Sequence, residues 1–361
     1  MAFMCLRGTF LIEQMNITIL GAGAWGTALA ISLAVNHRVT LWARDAAQIE
    51  AMCASRRNRR YLPDIPLPAA LELSHDLPAA LATAELAVIA VPTAALRSTL
   101  QQLAPAHRSH FDKPAPSSAE GPRTGFGVVW VCKGFEAGTS LLPHQVAAEV
   151  LPEKFRRGVL SGPSFAQEVA RGLPTALTLA SGDEDFARST AQALHHTRLR
   201  IYASNDVVGV EVGGAVKNVM AIASGICDGM GLGHNARAAL LTRGLAEITR
   251  LGLKLGGRTE TLGGLSGLGD LILTCTGDLS RNRQVGLLLA QQHDLPQILR
   301  RLGHVAEGVY TVREVHRLAQ RQGVAMPICE AVYRILYEQT PAAEMIAELL
   351  NRTPNQEFDG V

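Results

Sequence analysis

Residues 16–26 constrain this chain more than any other segment. Asn16-Ile-Thr-Ile-Leu20 has the apolar, β-branched character of a strand. It runs directly into Gly21-Ala-Gly23-Ala-Trp-Gly26, which has the spacing G-x-G-x-x-G, and residues 27–35 then read as a helix. The glycine spacing alone is common, and it gains meaning from standing between a strand and a helix. The first glycine permits a tight turn, the second leaves the backbone open to a pyrophosphate, and the third lets helix and strand pack closely. The phosphates would then face the helix N-terminus. A plain glycine turn with no ligand is the competing reading of these residues.

The rest of the first half repeats the strand-and-helix rhythm. Apolar runs at 38–42, 86–91, 128–131, 158–160, 176–179 and 199–202 read as further strands, separated by helical stretches. Such a series predicts a mostly parallel sheet covered on both faces, a Rossmann-type α/β domain. From about Asp206 onward no good strand is found, and helical periodicity is clear at 234–255 and 311–322. The expected organisation is therefore a dinucleotide-binding domain at 15–204 and an all-α C-terminal domain at 205–361. Residues 1–14 read as an extension outside the fold, with Met15 standing directly before the first strand. Residues 105–125 carry four prolines and read as a mobile surface insertion.

A chain of 361 residues exceeds what one core usually serves, which fits two domains. With 47% hydrophobic and 18% charged residues it is globular. A formal charge of +2 argues against a nucleic-acid partner, and Arg56-Arg57-Asn58-Arg59-Arg60 reads as a solvated or phosphate-facing loop. The six cysteines, at 5, 53, 132, 227, 275 and 329, have neither CxxC nor metal-ligand spacing. Reduced thiols in a cytoplasmic protein are expected, with no metal site. No apolar run reaches the roughly 18 residues that suggest a membrane span.

Several residues are candidates for chemistry. Arg44 follows the second strand, where it could hold the 2′-phosphate of NADPH, whereas Asp45 could hold the ribose of NADH. Lys133 lies just past the 128–132 strand, where ligands bind in open sheets. Ser164 stands near a helix start, as a ligand or a cap. Residues 207–218 read as a helix despite three glycines, each costing roughly 1 kcal/mol against alanine. Something must approach that backbone closely. Lys217 sits in this apolar stretch, where burial would lower its pKa towards neutrality; a structural, snorkelling lysine is the alternative. The glycine-rich turn 263–269 delivers Asp270 to a helix, as a cap or as a partner for Lys217. Ser280 and Arg281, with exposed helix N–H groups, suit a phosphate or carboxylate.

Taken together these segments resemble the glycerol-3-phosphate dehydrogenases of bacteria. The matching stretches are Gly21-Ala-Gly-Ala-Trp-Gly-Thr-Ala-Leu-Ala30, Cys132-Lys-Gly134, Leu160-Ser-Gly-Pro-Ser-Phe-Ala166, Gly213-Gly-Ala-Val-Lys-Asn218, Asn235-Ala-Arg-Ala-Ala-Leu-Leu-Thr-Arg-Gly244, Gly267-Leu-Gly-Asp-Leu271, Ser280-Arg-Asn-Arg283 and Val305-Ala-Glu-Gly308. The resemblance implies reversible hydride transfer between NADPH or NADH and dihydroxyacetone phosphate, which gives sn-glycerol 3-phosphate for phospholipid synthesis. It implies Lys217 as proton donor and acceptor. It implies substrate contacts from Lys133, Gly162, Ser164, Lys217, Asp270, Ser280, Arg281 and Asn282. It implies cofactor contacts from Ala24, Trp25, Arg44, Lys133, Ala166, Arg281, Val305 and Glu307, beside Gly21, Gly23 and Gly26. Another two-domain dehydrogenase of the 3-hydroxyacid type, or a dinucleotide sensor without activity, are the alternatives. Oligomeric state is left open, a homodimer among the options.

Overall fold

The computed structural model describes residues 14–111, 125–302 and 307–352. Among the described residues ten strands precede residue 205: β1 (Asn16–Leu20), β2 (Arg38–Trp42), β3 (Arg57–Asn58), β4 (Leu62–Pro66), β5 (Glu72–Ser74), β6 (Leu86–Ile89), β7 (Gly127–Trp130), β8 (Arg156–Ser161), β9 (Thr175–Ala180) and β10 (Leu199–Ser204). Eight form one sheet in the order β10-β9-β8-β7-β6-β1-β2-β5, while β3 and β4 form a separate antiparallel hairpin. Pairing in the sheet is parallel except between β8 and β9. This is the expected Rossmann-type architecture with a helical C-terminal part. The short β3, β4 and β5, none of them anticipated, lack the apolar runs that mark the other strands.

The strands are buried on both faces because they are apolar at successive positions. Ile17, Ile19, Val88 and Val129 enter one core, whereas Leu20, Ala87, Ile89, Val128 and Trp130 enter the core on the opposite face. The chain moves outward from β1 to β2 and β5, then returns to β6 on the other side of β1. Strand order therefore reverses between β1 and β6, and the crevice beyond their C-terminal ends is where such sheets take ligands.

Helices follow β10. The Val207–Gly229 helix forms the centre of a third core, packed by the helices Gly233–Lys254, Arg281–Ala290, Glu307–Gln322 and Pro327–Tyr337. It is long and apolar enough to cross a membrane, but 83% of its most apolar window is buried inside the protein. Its glycines answer the close approach that the sequence required. A Cβ on Gly213 would stand 2.8 Å from the Ser266 carbonyl oxygen, and one on Gly214 would stand 2.9 Å from Ser161 Oγ.

Two segments depart from expectation. The 93–111 helix continues through Pro105, so residues 105–111 are helical, not an inserted loop, and 112–124 lie outside the described residues. Residues Leu265–Gly269 form one turn of π-helix leading straight into the Asp270–Thr276 helix, not an open glycine turn.

Candidate active site

The glycine loop sits at the reversal of strand order. Gly21 has φ +121°, and a Cβ there would stand 2.5 Å from the Ala90 carbonyl oxygen, at the end of β6. Gly26 would collide with the carbonyl oxygen of Gly21 if it carried a side chain. Around Gly23, by contrast, a Cβ would find nothing within 4 Å. Gly23 N-caps the Ala24–Leu33 helix, whose first turn has no capping side chain and no acidic residue. Its positive dipole end is thus left for an anion. Open space at the middle glycine and an uncompensated helix terminus fit a dinucleotide pyrophosphate. Ala24, Trp25 and Ala166 meet in one small apolar cluster beside this loop.

Arg44 lies exposed just beyond β2. Asp45 N-caps the next helix, its Oδ1 accepting from the Gln48 N–H at 3.2 Å. Arg56 and Arg57, by contrast, donate to carbonyl oxygens of their own hairpin region, Pro68 and Leu71 for the first and Pro63 for the second.

The reactive cluster forms where the C-terminal end of β7 meets the Val207–Gly229 helix. Lys133 Nζ donates to Asp270 Oδ2 at 2.6 Å and to the Gly162 carbonyl oxygen at 3.0 Å. Lys217 Nζ donates to Asp270 Oδ1 at 2.5 Å and to Thr274 Oγ1 at 2.8 Å. Each oxygen of one buried carboxylate therefore takes one ammonium. An ammonium has three N–H donors, so each lysine keeps one for a further acceptor. Burial lowers Lys217 to about 8, with the Lys133 charge adding to that effect and Asp270 opposing it. Burial alone would raise Asp270, but the two ammonium groups outweigh it and hold the carboxyl below its usual range. Ser164 Oγ donates to the Gly162 carbonyl oxygen at 3.0 Å and so does not cap the helix that follows. Thr274, one turn after Asp270, escaped sequence reasoning. Its i, i+4 spacing from Asp270 was the available signal.

Ser280 N-caps the Arg281–Ala290 helix, accepting from the Arg283 N–H at 3.3 Å. Arg281 beside it is exposed. Asn282 bridges two elements: its Nδ2 donates to Asn218 Oδ1 at 2.9 Å, and its Oδ1 accepts from the Gly308 N–H at 3.1 Å. Because Asn218 follows Lys217, this bond sets the 280–282 helix start beside the lysine's helix. Burial pushes the Glu307 carboxyl up to about 6, a shift opposed by the Thr93 N–H and the Lys133 charge. Val305 lies outside the described residues.

A mostly parallel sheet with a glycine loop at its switch point, capped by a helical part that supplies a lysine to the crevice, defines a two-part dinucleotide-dependent dehydrogenase. Two family models match: the N-terminal part of NAD-dependent glycerol-3-phosphate dehydrogenase over residues 16–187, and its C-terminal part over 206–347. The chain belongs to the NAD-dependent glycerol-3-phosphate dehydrogenase family. It is 60% identical over 344 residues to the glycerol-3-phosphate dehydrogenase [NAD(P)+] of Thiobacillus denitrificans, covering 95% of this chain and 100% of the relative. The crystal structure of glycerol-3-phosphate dehydrogenase from Coxiella burnetii superposes with TM-score 0.85 at 42% identity, over 94% of this chain and 99% of that one. The Saccharomyces cerevisiae enzyme gives TM-score 0.77 at 28% identity, over 94% and 100%.

Proposed function

We propose that this protein catalyses the reversible reduction of dihydroxyacetone phosphate to sn-glycerol 3-phosphate, with NADPH or NADH as cofactor, and so supplies glycerophospholipid synthesis. The observation that carries the reading is the pair of lysines sharing Asp270 at the sheet's C-terminal edge. β7, which ends three residues before Lys133, is separated from β1 and its glycine loop only by β6, so dinucleotide and lysines face one crevice.

The bound dinucleotide supplies or accepts a hydride. The chain's part is to bind, orient and move a proton. In our reading the spare N–H of Lys217 meets the substrate carbonyl oxygen and gives up its proton as negative charge develops there. With a pKa of about 8, Lys217 can give and regain that proton near neutral pH. Lys133 adds a second positive charge, and Asp270 keeps both ammonium groups in place. Ser280, Arg281 and Asn282 would hold the phosphate, whose remote binding fixes the reacting carbon. Gly162 and Ser164 would border the substrate, and Ala24, Trp25, Arg44, Ala166, Val305 and Glu307 the cofactor.

A dinucleotide sensor would have no use for two lysines, one buried and one half-buried, on one carboxylate, and a non-phosphorylated hydroxyacid would leave the 280–282 helix start without a role. We place the domain boundary at 204–206, between the last strand and the first long helix. We take the protein to be cytoplasmic, consistent with its free cysteines, and its assembly to be a homodimer, which sizing in solution tests. Incubation with NADP+ and each enantiomer of glycerol 3-phosphate tests the reaction: reduced dinucleotide should form with the sn-3 enantiomer alone.

A further inference from the structure

The β3–β4 hairpin reaches the glycine loop through one side chain. Asn58, 1% exposed, donates from Nδ2 to the Ala22 carbonyl oxygen at 3.0 Å and to Thr27 Oγ1 at 2.8 Å. A second donor meets the same carbonyl: Gln48 Nε2, at 2.8 Å. Ala22 is the residue between the first two glycines of the loop. Its carbonyl is thus gripped from two directions by side chains from separate elements, the hairpin and the Ala46–Ser55 helix.

The peptide unit makes that grip directional. The Ala22 C=O and the Gly23 N–H belong to one planar trans unit and point opposite ways. Holding the oxygen against Asn58 and Gln48 turns the Gly23 N–H away from them. The free space at Gly23 is where the loop is open, and an amide aimed into such a loop is what a phosphate oxygen accepts from. We infer that Asn58 and Gln48 are positioning residues for the dinucleotide loop, clamping the Ala22 carbonyl so that the Gly23 amide is set for the cofactor's phosphate before it binds. The inference rests on the dinucleotide reading of the loop.

The orphaned atom of Asn58 supports this. Its Oδ1 is buried and has no hydrogen-bond partner, and an unmet buried acceptor is costly. A leucine of similar volume would carry no such atom. The amide is explained by what its Nδ2 holds, not by packing. Gln48 tells the same story more cleanly, because its side chain holds the Ala22 carbonyl from a partly exposed position.

Titration of the ligand-free protein with NADPH, followed by fluorescence of the bound dinucleotide, tests the clamp. Asn58→Leu, which loses two buried hydrogen bonds, should raise the NADPH Kd about tenfold, and Gln48→Met, which loses one half-buried bond, about threefold. Amide exchange over residues 21–27 should quicken in both variants before any ligand is added. The KM for NADPH should rise in step with Kd, while kcat at saturation falls less than about twofold, a split that general destabilisation would not give. If Asn58→Leu does not fold, Gln48→Met decides. A wild type that binds NADPH, with Gln48→Met unaltered in both Kd and loop exchange, overturns the clamp alone. A wild type that binds no NADPH overturns the dinucleotide reading and the clamp with it.

Discussion

Lys217 Nζ lies 2.5 Å from Asp270 Oδ1, and both groups are buried. The pair does not stand alone, because the other oxygen of the carboxylate takes Lys133 at 2.6 Å. One negative charge thus faces two positive ones in a site of low dielectric. The arrangement keeps Asp270 ionised, while burial leaves Lys217 easier to deprotonate than an ordinary lysine. Lys217→Ala should therefore lower kcat on the order of a thousandfold, the scale of lost general acid–base catalysis. NADPH binding measured by fluorescence should stay near wild type.

The pH dependence should differ in sign between the two directions. Reduction needs Lys217 protonated, so its kcat/KM should fall as pH rises through about 8. Oxidation of sn-glycerol 3-phosphate needs the neutral amine, so its kcat/KM should climb over the same window. Rate profiles between neutral and alkaline pH, taken in both directions, check this. Parallel profiles would remove Lys217 from the proton transfer.

Asp270→Asn should cost both stability and rate. It leaves the buried Lys217 ammonium and the half-buried Lys133 ammonium beside a neutral amide, and breaking a buried ion pair in this way costs about 3 kcal/mol or more. Chemical denaturation should show the loss. The basic limb of the reduction profile should also move to lower pH, since Asp270 is the chief influence holding Lys217 up against burial.

Gly21 and Gly23 should respond differently to alanine. Gly21→Ala meets both a positive φ and the Ala90 carbonyl, and should destabilise the protein. Gly23→Ala finds open space in the ligand-free protein and should melt near wild type. Its methyl would occupy the pyrophosphate's approach, so NADPH binding should be lost. Thermal melting with and without NADPH separates the two.

Arg44→Ala should weaken NADPH more than NADH, about tenfold or more for the loss of a charged phosphate contact. Asp45 is engaged as a helix cap, which leaves Arg44 as the charged side chain free to choose between the cofactors. Kd values for both dinucleotides in one buffer check the difference.

The fold was legible where local pattern and tertiary demand agree. β1, the glycine loop and its helix follow from adjacent residues, as do the buried strands and the long helices after Asp206. Lys133, Lys217 and Asp270 could be singled out one at a time, but their meeting could not be read. They lie 137 and 53 positions apart along the chain, and no local rule joins them. The π-helical turn before Asp270 has the composition of an open loop, and its close packing against Gly213 is a tertiary contact that no local rule announces. Pro105 pointed to an ended helix, yet the helix continues through it. Asn58 read as one polar residue in a basic run. Its grip on Ala22 depends on a short hairpin that lacks any apolar signature.

The most direct test of the account is the rate of NADPH oxidation, followed by the absorbance of the reduced nicotinamide, with dihydroxyacetone phosphate and with dihydroxyacetone under the same conditions. Turnover should be rapid with the phosphorylated ketone and almost absent without the phosphate. Equal rates on the two ketones, or no turnover with dihydroxyacetone phosphate, would contradict it.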